Sequence, residues 1–371
     1  MSRPRAGGDP ISLLVFLLVF SALSFAEPRL PNDELAGKVD AAVSPLFKRD
    51  QPGGAVLLAR DGKAVYRKAF GLADFDNGVA LTPEMPLRIG SITKQLTAAG
   101  VFLLVDEGKV ALDAEVTKYL PDYPAHGRRI TIQNLLTHSS GIPSYTDMLV
   151  EPSTLTLEKS VPENIADFKD ERLYFEPGEA IRYSNSNFIL LGAIIEKVSG
   201  MPYGDFMAKR LFEPLGMAST AYEGHERNGR LRVEGYQRGR SKPYEKALPI
   251  SMTQAYSAGG LVSTIDDMGR WGAAVDSHAL LSAESWKKMF RPFVLNDGTV
   301  TSACSGWFVE RIVFGREVYG HAGGINGFAS FVYWVPEDRV FVVVLLNNVG
   351  QLVNPMRVAQ TMLYIALPKH D

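Results

Sequence analysis

The segment that most constrains the fold is Val340–Leu346 (VFVVVLL), in which every residue is apolar. Seven residues are far too few to cross a bilayer, so the segment is predicted to be a central strand buried on both faces. Another strand is predicted at Phe328–Val335. The Asp61-Gly62 pair predicts a hairpin turn between strands at 54–60 and 63–70. Strands near both chain ends, with helices between them, indicate one sheet assembled from the two termini.

The predicted fold class is therefore α/β (α+β). An antiparallel sheet built from both chain ends is flanked by helices, and a mostly helical second lobe packs against it. The α/β lobe is placed at about residues 27–89 and 255–371, and the helical lobe at about 90–254. A ligand is expected in the cleft between the two lobes.

The first 26 residues have the pattern of a secretory signal peptide. Arg3 and Arg5 supply a positive start, residues 11–25 are an apolar run, and Ser24 and Ala26 are small residues at the positions a signal peptidase reads. An uncleaved membrane anchor is the alternative, but the run is shorter than the roughly 18–20 residues of a span. We therefore expect an exported bacterial protein, periplasmic or extracellular, that is not stably inserted in a membrane after cleavage.

Ser91-Ile92-Thr93-Lys94 opens a strongly apolar helix predicted over residues 91–107, which Gly108 is placed to end. Residues three apart share one face of a helix, so Lys94 can reach the Ser91 oxygen. A serine hydroxyl is a weak nucleophile and needs such a neighbouring base. The free N–H groups at the start of the helix would suit an oxyanion.

Each of the supporting motifs also has a structural interpretation. A second Ser-x-x-Lys occurs at Ser285–Lys288, where an ordinary amphipathic helix and solvated lysines are expected. Tyr183-Ser184-Asn185 precedes an apolar helix and could simply provide its N-cap. The glycines in His321-Ala322-Gly323-Gly324, which is expected to follow a strand, could form a turn or allow close approach of a ligand. The three motifs together, in this order, favour a serine acyl-transfer enzyme.

The same motifs give the chain its resemblance to the serine β-lactamase and penicillin-binding protein superfamily, whose class A signature is S-x-x-K, S-D-N and K-T-G. With Y-S-N and H-A-G as second and third motifs, it resembles the branch of class C β-lactamases, D-alanyl-D-alanine carboxypeptidases, D-aminopeptidases and related esterases. The resemblance covers residues 35–365 and is supported by the following stretches: 135–143 (LLTHSSGIP), 175–187 (FEPGEAIRYSNSN), 257–267 (SAGGLVSTIDD) and 320–328 (GHAGGINGF). It implies a β-lactamase/transpeptidase-like fold.

The resemblance also implies roles for individual residues. The implied catalytic residues are Ser91, Lys94, Tyr183 and His321, and the implied substrate or oxyanion contacts are Asn185, Gly323 and Gly324. Lys94 and Tyr183 would together deprotonate Ser91, and either could be the base. Asn185 would orient Lys94 and a substrate amide, and the oxyanion would lie between the N–H groups of Ser91 and Gly324. His321, where class C β-lactamases carry lysine, would bind a substrate carboxylate or relay a proton.

The expected function is a secreted serine hydrolase acting on a small amide or ester, such as a D-amino-acid peptidase, a carboxypeptidase or an esterase. A β-lactamase and a penicillin-binding sensor that does not turn over remain alternatives. The expected partner is a small-molecule or short-peptide substrate, with no metal or organic cofactor; the oligomeric state stays open.

Several other functions are disfavoured by the sequence. A net charge of -2 gives no reason to expect nucleic acid. The sequence has neither the H-E-x-x-H motif of zinc hydrolases nor the G-x-S-x-G motif of α/β-hydrolases. Cys304 is the only cysteine, so no disulfide can form within the chain. His138, on a turn-rich loop, is expected to pack or to make a loop hydrogen bond rather than to take part in chemistry.

Overall fold

The computed structural model describes residues 31–148, 151–224, 233–239, 242–311, 315–350 and 353–368, so the predicted signal peptide at 1–26 lies outside the described residues. The helices are α1 Asn32–Val43, α2 Thr93–Asp106, α3 Val116–Tyr119, α4 Ile132–Leu136, α5 Val161–Ala166, α6 Asn185–Ser199, α7 Tyr203–Met207, α8 Met252–Gly259, α9 Ile265–Ser277, α10 Ala283–Met289 and α11 Pro355–Ala366. Short 3-10 turns lie at Ser44–Leu46, Gly90–Ile92, Ala125–Gly127, Tyr145–Asp147 and Pro152–Thr154, and a π-helical turn at Ala208–Phe212.

The strands are β1 Gly54–Arg60, β2 Lys63–Phe70, β3 Leu72–Asp74, β4 Val79–Ala80, β5 Leu87–Arg88, β6 Ala221–Tyr222, β7 Tyr236–Arg238, β8 Tyr244–Lys246, β9 Leu261–Ser263, β10 Ala303–Cys304, β11 Trp307–Arg311, β12 Glu317–Ile325, β13 Phe328–Val335, β14 Val340–Leu346 and β15 Asn348–Val349. The main sheet has the order β10-β11-β12-β13-β14-β1-β2. All of its neighbouring strands are antiparallel, and β1 from one end of the chain pairs with β14 from the other. The predicted fold class is confirmed.

The uniformly apolar β14 has a core on each face, which explains its composition. Alternate residues, including Val342 and Val344, pack with α1 and α11 in one cluster of buried side chains. The residues between them, including Phe341 and Val343, face α9 in the other. Because successive side chains in a strand point to opposite faces, a strand covered on both faces must be apolar throughout.

The second part of the fold is built around α2 and α6, which pack against each other. Residues 93–104 of α2 are all buried, so this helix is enclosed on every side, and most of its residues are apolar. It ends as predicted: Gly108 has φ +68, a conformation that glycine adopts without strain. The start differs slightly, because Ser91 lies on the 3-10 turn Gly90–Ile92, which leads directly into α2. None of the described helices combines the length and apolarity that crossing a membrane requires.

The placement of the His321 motif differs from the prediction. His321 to Gly324 were expected to follow a strand, but they lie inside β12, and the turn to β13 comes later, at Asn326 and Gly327. The neighbouring strand β11 pairs with β12 only as far as Gly320. Beyond that residue, this edge of β12 contacts the turn that carries Ser91.

Candidate active site

Two glycines bring Ser91 against strand β12. Gly90 has φ +51, and a Cβ on it would lie 2.8 Å from the backbone nitrogen of Gly324. The two backbones can therefore approach this closely only because residue 90 has no side chain. This contact places the Gly324 amide beside the turn that carries Ser91, as an oxyanion site formed by both amides requires.

Lys94 is completely buried, and the nitrogen at the end of its side chain lies at Ser91. Its Nζ lies 3.0 Å from Ser91 Oγ, 2.7 Å from Asn185 Oδ1 and 2.6 Å from the carbonyl oxygen of Ala258. Burial holds the pKa of Lys94 well below its ordinary value of 10.5, because a buried ammonium loses its hydration. A neutral amine has two N–H bonds, and the two carbonyl oxygens accept both. A neutral amine in this position would therefore direct its remaining lone pair at Ser91.

Tyr183 approaches Ser91 from the loop that precedes α6. Its hydroxyl donates a hydrogen bond of 2.7 Å to Ser91 Oγ, and its ring centre is 4.9 Å from Lys94 Nζ. Burial raises the pKa of the Tyr183 phenol above its ordinary value of 10.0, so the phenol keeps its proton at neutral pH. The residue is nevertheless 36% exposed, which leaves part of it accessible beside the nucleophile.

Asn185 is the first residue of α6, and both ends of its side-chain amide are in use. The Oδ1 atom accepts from Lys94, and the Nδ2 atom donates to Thr146 Oγ1 at 3.0 Å. Its backbone N–H donates to Ser144 Oγ, also at 3.0 Å. The geometry agrees with the predicted orientation of Lys94 by Asn185. The predicted contact with a substrate amide would have to compete with Thr146.

His321 lies next to Tyr183 with its ring centre 6.0 Å from that of the tyrosine. Its Nδ1 is 2.6 Å from the carbonyl oxygen of Ala322. A carbonyl only accepts, so Nδ1 carries the proton. Burial lowers the pKa of His321 to about 3. The ring is therefore neutral, its Nε2 is unprotonated, and Nε2 is buried without a partner among the described residues.

The two glycines of the third motif have different surroundings. A Cβ on Gly323 would lie 2.1 Å from Ser330 Oγ and 2.3 Å from the carbonyl oxygen of Ile89. Gly323 is thus required for packing β12 against the segment that precedes Ser91. A Cβ on Gly324 would meet nothing within 4 Å. Of the two glycines, Gly324 is the one with open space beside it for a ligand.

The break in α8 supplies a contact that no sequence motif predicted. Tyr256 has φ 40 and ψ −132, which interrupts the helix, and the carbonyl oxygens after it bond outside α8. Ser257 accepts from Thr97 Oγ1 at 2.8 Å, and Ala258 accepts from Lys94. Such strained backbone is typical of functional sites. A backbone acceptor carries no residue signature, so no sequence motif could have identified it.

His138 was expected to pack or to make a hydrogen bond within its loop. Its Nδ1 accepts a hydrogen bond of 3.1 Å from the backbone N–H of Ser184. Its ring also lies against Tyr183, with 4.5 Å between ring centres. The only signal in the sequence was that His138 falls in one of the stretches that carry the family resemblance.

Other sequence candidates lie away from this constellation. Ser285 Oγ donates to Asp106 Oδ1 at 2.6 Å, and Lys288 pairs with Glu284 at 3.5 Å, so the second Ser-x-x-Lys is structural. Cys304 is buried, with its sulfur 3.3 Å from the carbonyl oxygen of Phe290. Within the described part of the chain, no group of three or more His, Cys, Asp or Glu residues could hold a metal ion.

The comparison with known families agrees with this geometry. A family model described as Beta-lactamase matches residues 38–364. The chain belongs to the β-lactamase family. The match includes every residue of the site described above, from Ser91 to Gly324. Membership establishes the fold and relates the chain to serine hydrolases, while leaving its substrate open.

Three proteins that are similar to this chain show the range of its relatives. Protein flp of Staphylococcus aureus (strain MRSA252) is 28% identical over 331 residues, which are 86% of this chain but only 64% of that protein. Penicillin-binding protein 4* of Bacillus subtilis (strain 168) is 29% identical over 318 residues, 82% of this chain and 70% of that protein. The solved D-amino acid amidase from Ochrobactrum anthropi SV3, complexed with L-phenylalanine amide, is 26% identical with a TM-score of 0.74. That match covers 90% of this chain and 97% of the amidase.

Proposed function

We propose that this protein is an exported serine hydrolase that forms an acyl-enzyme at Ser91 with a small amide or ester. One observation carries the proposal: Ser91 Oγ is within hydrogen-bond distance of both Lys94 Nζ and the Tyr183 hydroxyl. The two neighbours have complementary protonation, a neutral amine and a protonated phenol. A nucleophile between a base and an acid is what acyl transfer requires.

In the proposed acylation, Lys94 takes the Ser91 hydroxyl proton while Oγ attacks the substrate carbonyl. The N–H groups of Ser91 and Gly324 stabilise the resulting oxyanion, and each such donor typically contributes about 3 kcal/mol in the transition state. Tyr183 gives its proton to the leaving amine or alkoxide. The step ends with an acyl-enzyme, a Lys94 ammonium and a Tyr183 phenolate, so the net charge of the site is unchanged.

Deacylation is the same sequence in reverse, with water in place of the leaving group. The Tyr183 phenolate takes a proton from the water as it attacks the acyl carbonyl. The Lys94 ammonium returns its proton to Ser91 Oγ, which leaves as a hydroxyl. The free acid is released and both side chains regain their starting protonation. This scheme assigns Lys94 as base for acylation and Tyr183 as base for deacylation.

The protonation of His321 supports a substrate without a carboxylate near this residue. Its Nε2 carries a lone pair rather than a proton, and its pKa of about 3 leaves it neutral at physiological pH. Such a nitrogen repels a carboxylate oxygen but can accept a hydrogen bond from a substrate N–H or from water. Of the two roles predicted for His321, carboxylate binding is disfavoured by the neutral ring, and for proton relay Nε2 has no hydrogen-bond partner among the described residues. Neutral amides and esters, including D-amino-acid amides such as those named for the solved relative, are therefore the proposed substrates.

Export remains part of the proposal and is supported by the composition of residues 1–26. The proposed partner is a small molecule or a short peptide that can enter beside Tyr183. A β-lactamase or a penicillin-binding sensor would use the same acylation step. These alternatives would differ in the rate at which particular acyl groups are released.

The first experiment asks whether Ser91 is the nucleophile. The wild type, Ser91→Ala and Ser285→Ala are treated with a fluorophosphonate probe and examined by intact-protein mass spectrometry. We expect stoichiometric labelling of the wild type and of Ser285→Ala, and none of Ser91→Ala, with circular dichroism unchanged in all three. Full labelling of Ser91→Ala would reject the proposed nucleophile.

The second experiment identifies the reaction with a turnover panel. The substrates are D-phenylalanine amide, p-nitrophenyl acetate and butyrate, nitrocefin and a D-alanyl-D-alanine peptide. We expect turnover of the amide or the nitrophenyl esters to exceed that of the two carboxylate-bearing substrates. Dominant nitrocefin hydrolysis would make the protein a β-lactamase. A burst of one equivalent without later turnover would favour the sensor.

A further inference from the structure

His138 makes three contacts that surround Tyr183. Its backbone carbonyl accepts the N–H of Arg182 at 3.0 Å, and its Nδ1 accepts the N–H of Ser184 at 3.1 Å. Its ring lies against the Tyr183 ring, with 4.5 Å between centres and 30° between planes. One residue therefore binds the backbone on both sides of the tyrosine and packs on the tyrosine ring itself.

The segment that carries Tyr183 depends on such contacts. Residues 175–184 contain no helix or strand, so no regular ladder of hydrogen bonds determines the path of the backbone there. The hydroxyl must nevertheless stay 2.7 Å from Ser91 Oγ. A loop side chain that acts in proton transfer needs neighbours that hold it in place.

The chemistry of His138 suits it to hold the loop. It is only 2% exposed, and its φ of +58 is a left-handed conformation that is uncommon outside glycine. Because Nδ1 accepts from a backbone N–H, Nδ1 is unprotonated and the neutral ring carries its proton on Nε2. Burial keeps the ring neutral by lowering its pKa. Nδ1 therefore remains a hydrogen-bond acceptor for the Ser184 N–H at physiological pH.

We propose that His138 is a positioning residue whose Nδ1 acceptor holds Tyr183 in reach of Ser91. This inference rests on the proposed function, because it gives Tyr183 its task in proton transfer. His138 itself touches neither the nucleophile nor a reacting atom in this structure. Its loss should therefore slow the chemical steps without weakening substrate binding.

Three substitutions separate the acceptor from the rest of the side chain. His138→Met fills much of the ring volume but offers no comparable acceptor, and His138→Ala removes both. His138→Asn keeps an acceptor at a similar distance from the backbone and tolerates positive φ. The matched control is His278→Met, because His278 is also a histidine with positive φ, 54°, and lies exposed at the end of α9.

The experiment measures the second-order rate constant for labelling of Ser91 by the fluorophosphonate probe, together with kcat and KM on the best substrate of the panel. We expect His138→Met and His138→Ala to label and turn over about 10- to 100-fold more slowly, with KM within about twofold. His138→Asn and His278→Met should stay within about threefold of the wild type. Thermal unfolding establishes that each variant is folded.

The outcomes distinguish this inference from the function on which it rests. If the wild type is neither labelled nor active, the proposed function fails, and the positioning role fails with it. If the wild type reacts and both His138→Met and His138→Ala react as fast as the wild type, only the positioning role is overturned. The positioning role is also overturned if His138→Asn reacts as slowly as His138→Met and His138→Ala. Should the Met and Ala variants not fold, a loss of more than about threefold in folded His138→Asn would still overturn it.

Discussion

The proposed mechanism depends on Lys94 being uncharged in the folded protein, and this can be tested without any substrate. The side chain is completely buried, and no carboxylate among the described residues pairs with it. Its partners are oxygens of a hydroxyl, an amide and a peptide group. An ammonium in that environment would be expensive to desolvate without a compensating charge, so folding is expected to release its proton.

Proton release makes the stability of the wild type depend on pH in a defined direction. The pKa of Lys94 is near 10.5 when unfolded and well below that when folded, so between these values the unfolded state binds one more proton. Stability then rises with pH, by about 1.4 kcal/mol per pH unit. Lys94→Met, which fills a similar volume, lacks this contribution. The difference in unfolding free energy between wild type and Lys94→Met should therefore shift in favour of the wild type, by up to about 3 kcal/mol, from about pH 7 to about pH 9.

Urea or guanidinium denaturation of both proteins at the two pH values provides the measurement. Groups that titrate equally in both proteins cancel in the difference, and the low pKa of His321 lies far below the range used. The variant should also be inactive toward the fluorophosphonate probe. A difference in stability that stays constant between the two pH values would show that Lys94 keeps its proton on folding. The assignment of Lys94 as the base would then be refuted.

Two further predictions concern neighbouring residues. Gly323→Ala should lower the free energy of unfolding by about 1–3 kcal/mol, because its Cβ would collide with the Ser330 hydroxyl. Gly324→Ala should leave the free energy of unfolding nearly unchanged. Equal losses for the two variants in chemical denaturation would contradict the packing role of Gly323. Ser285→Ala should keep the turnover rate of the wild type while losing some stability with its bond to Asp106; a large fall in kcat would mean that the wrong Ser-x-x-Lys serine had been chosen.

Local patterns were sufficient to predict the elements that support the site. The all-apolar Val340–Leu346 indicated a strand covered on both faces, and it is the partner of β1 in the main sheet. The three-residue spacing of Ser91 and Lys94 predicted that one side chain reaches the other, and their atoms are 3.0 Å apart. Both features depend on a few consecutive residues, and so they can be recognised without the rest of the chain.

Predictions failed or were incomplete where the backbone depends on distant neighbours. His321 was expected after a strand, but β12 continues through it because β13 pairs with residues 319–325. Of the glycines that suggested a turn, Gly323 instead allows that strand to approach Ile89. His138 was interpreted as a loop residue, because nothing near it in the sequence shows that Tyr183 will lie against its ring.

By itself, the sequence determined the sheet built from both chain ends, the apolar helix behind Ser91 and the identity of the groups available for chemistry. Only the tertiary structure decided which of those groups meet and which protons they carry. The reason is physical: helix and strand periodicity act over a few residues, but desolvation acts through everything packed around a group. In the proposed mechanism Lys94 is a base, and Tyr183 an acid, only because elements far apart in the chain bury them beside the same hydroxyl.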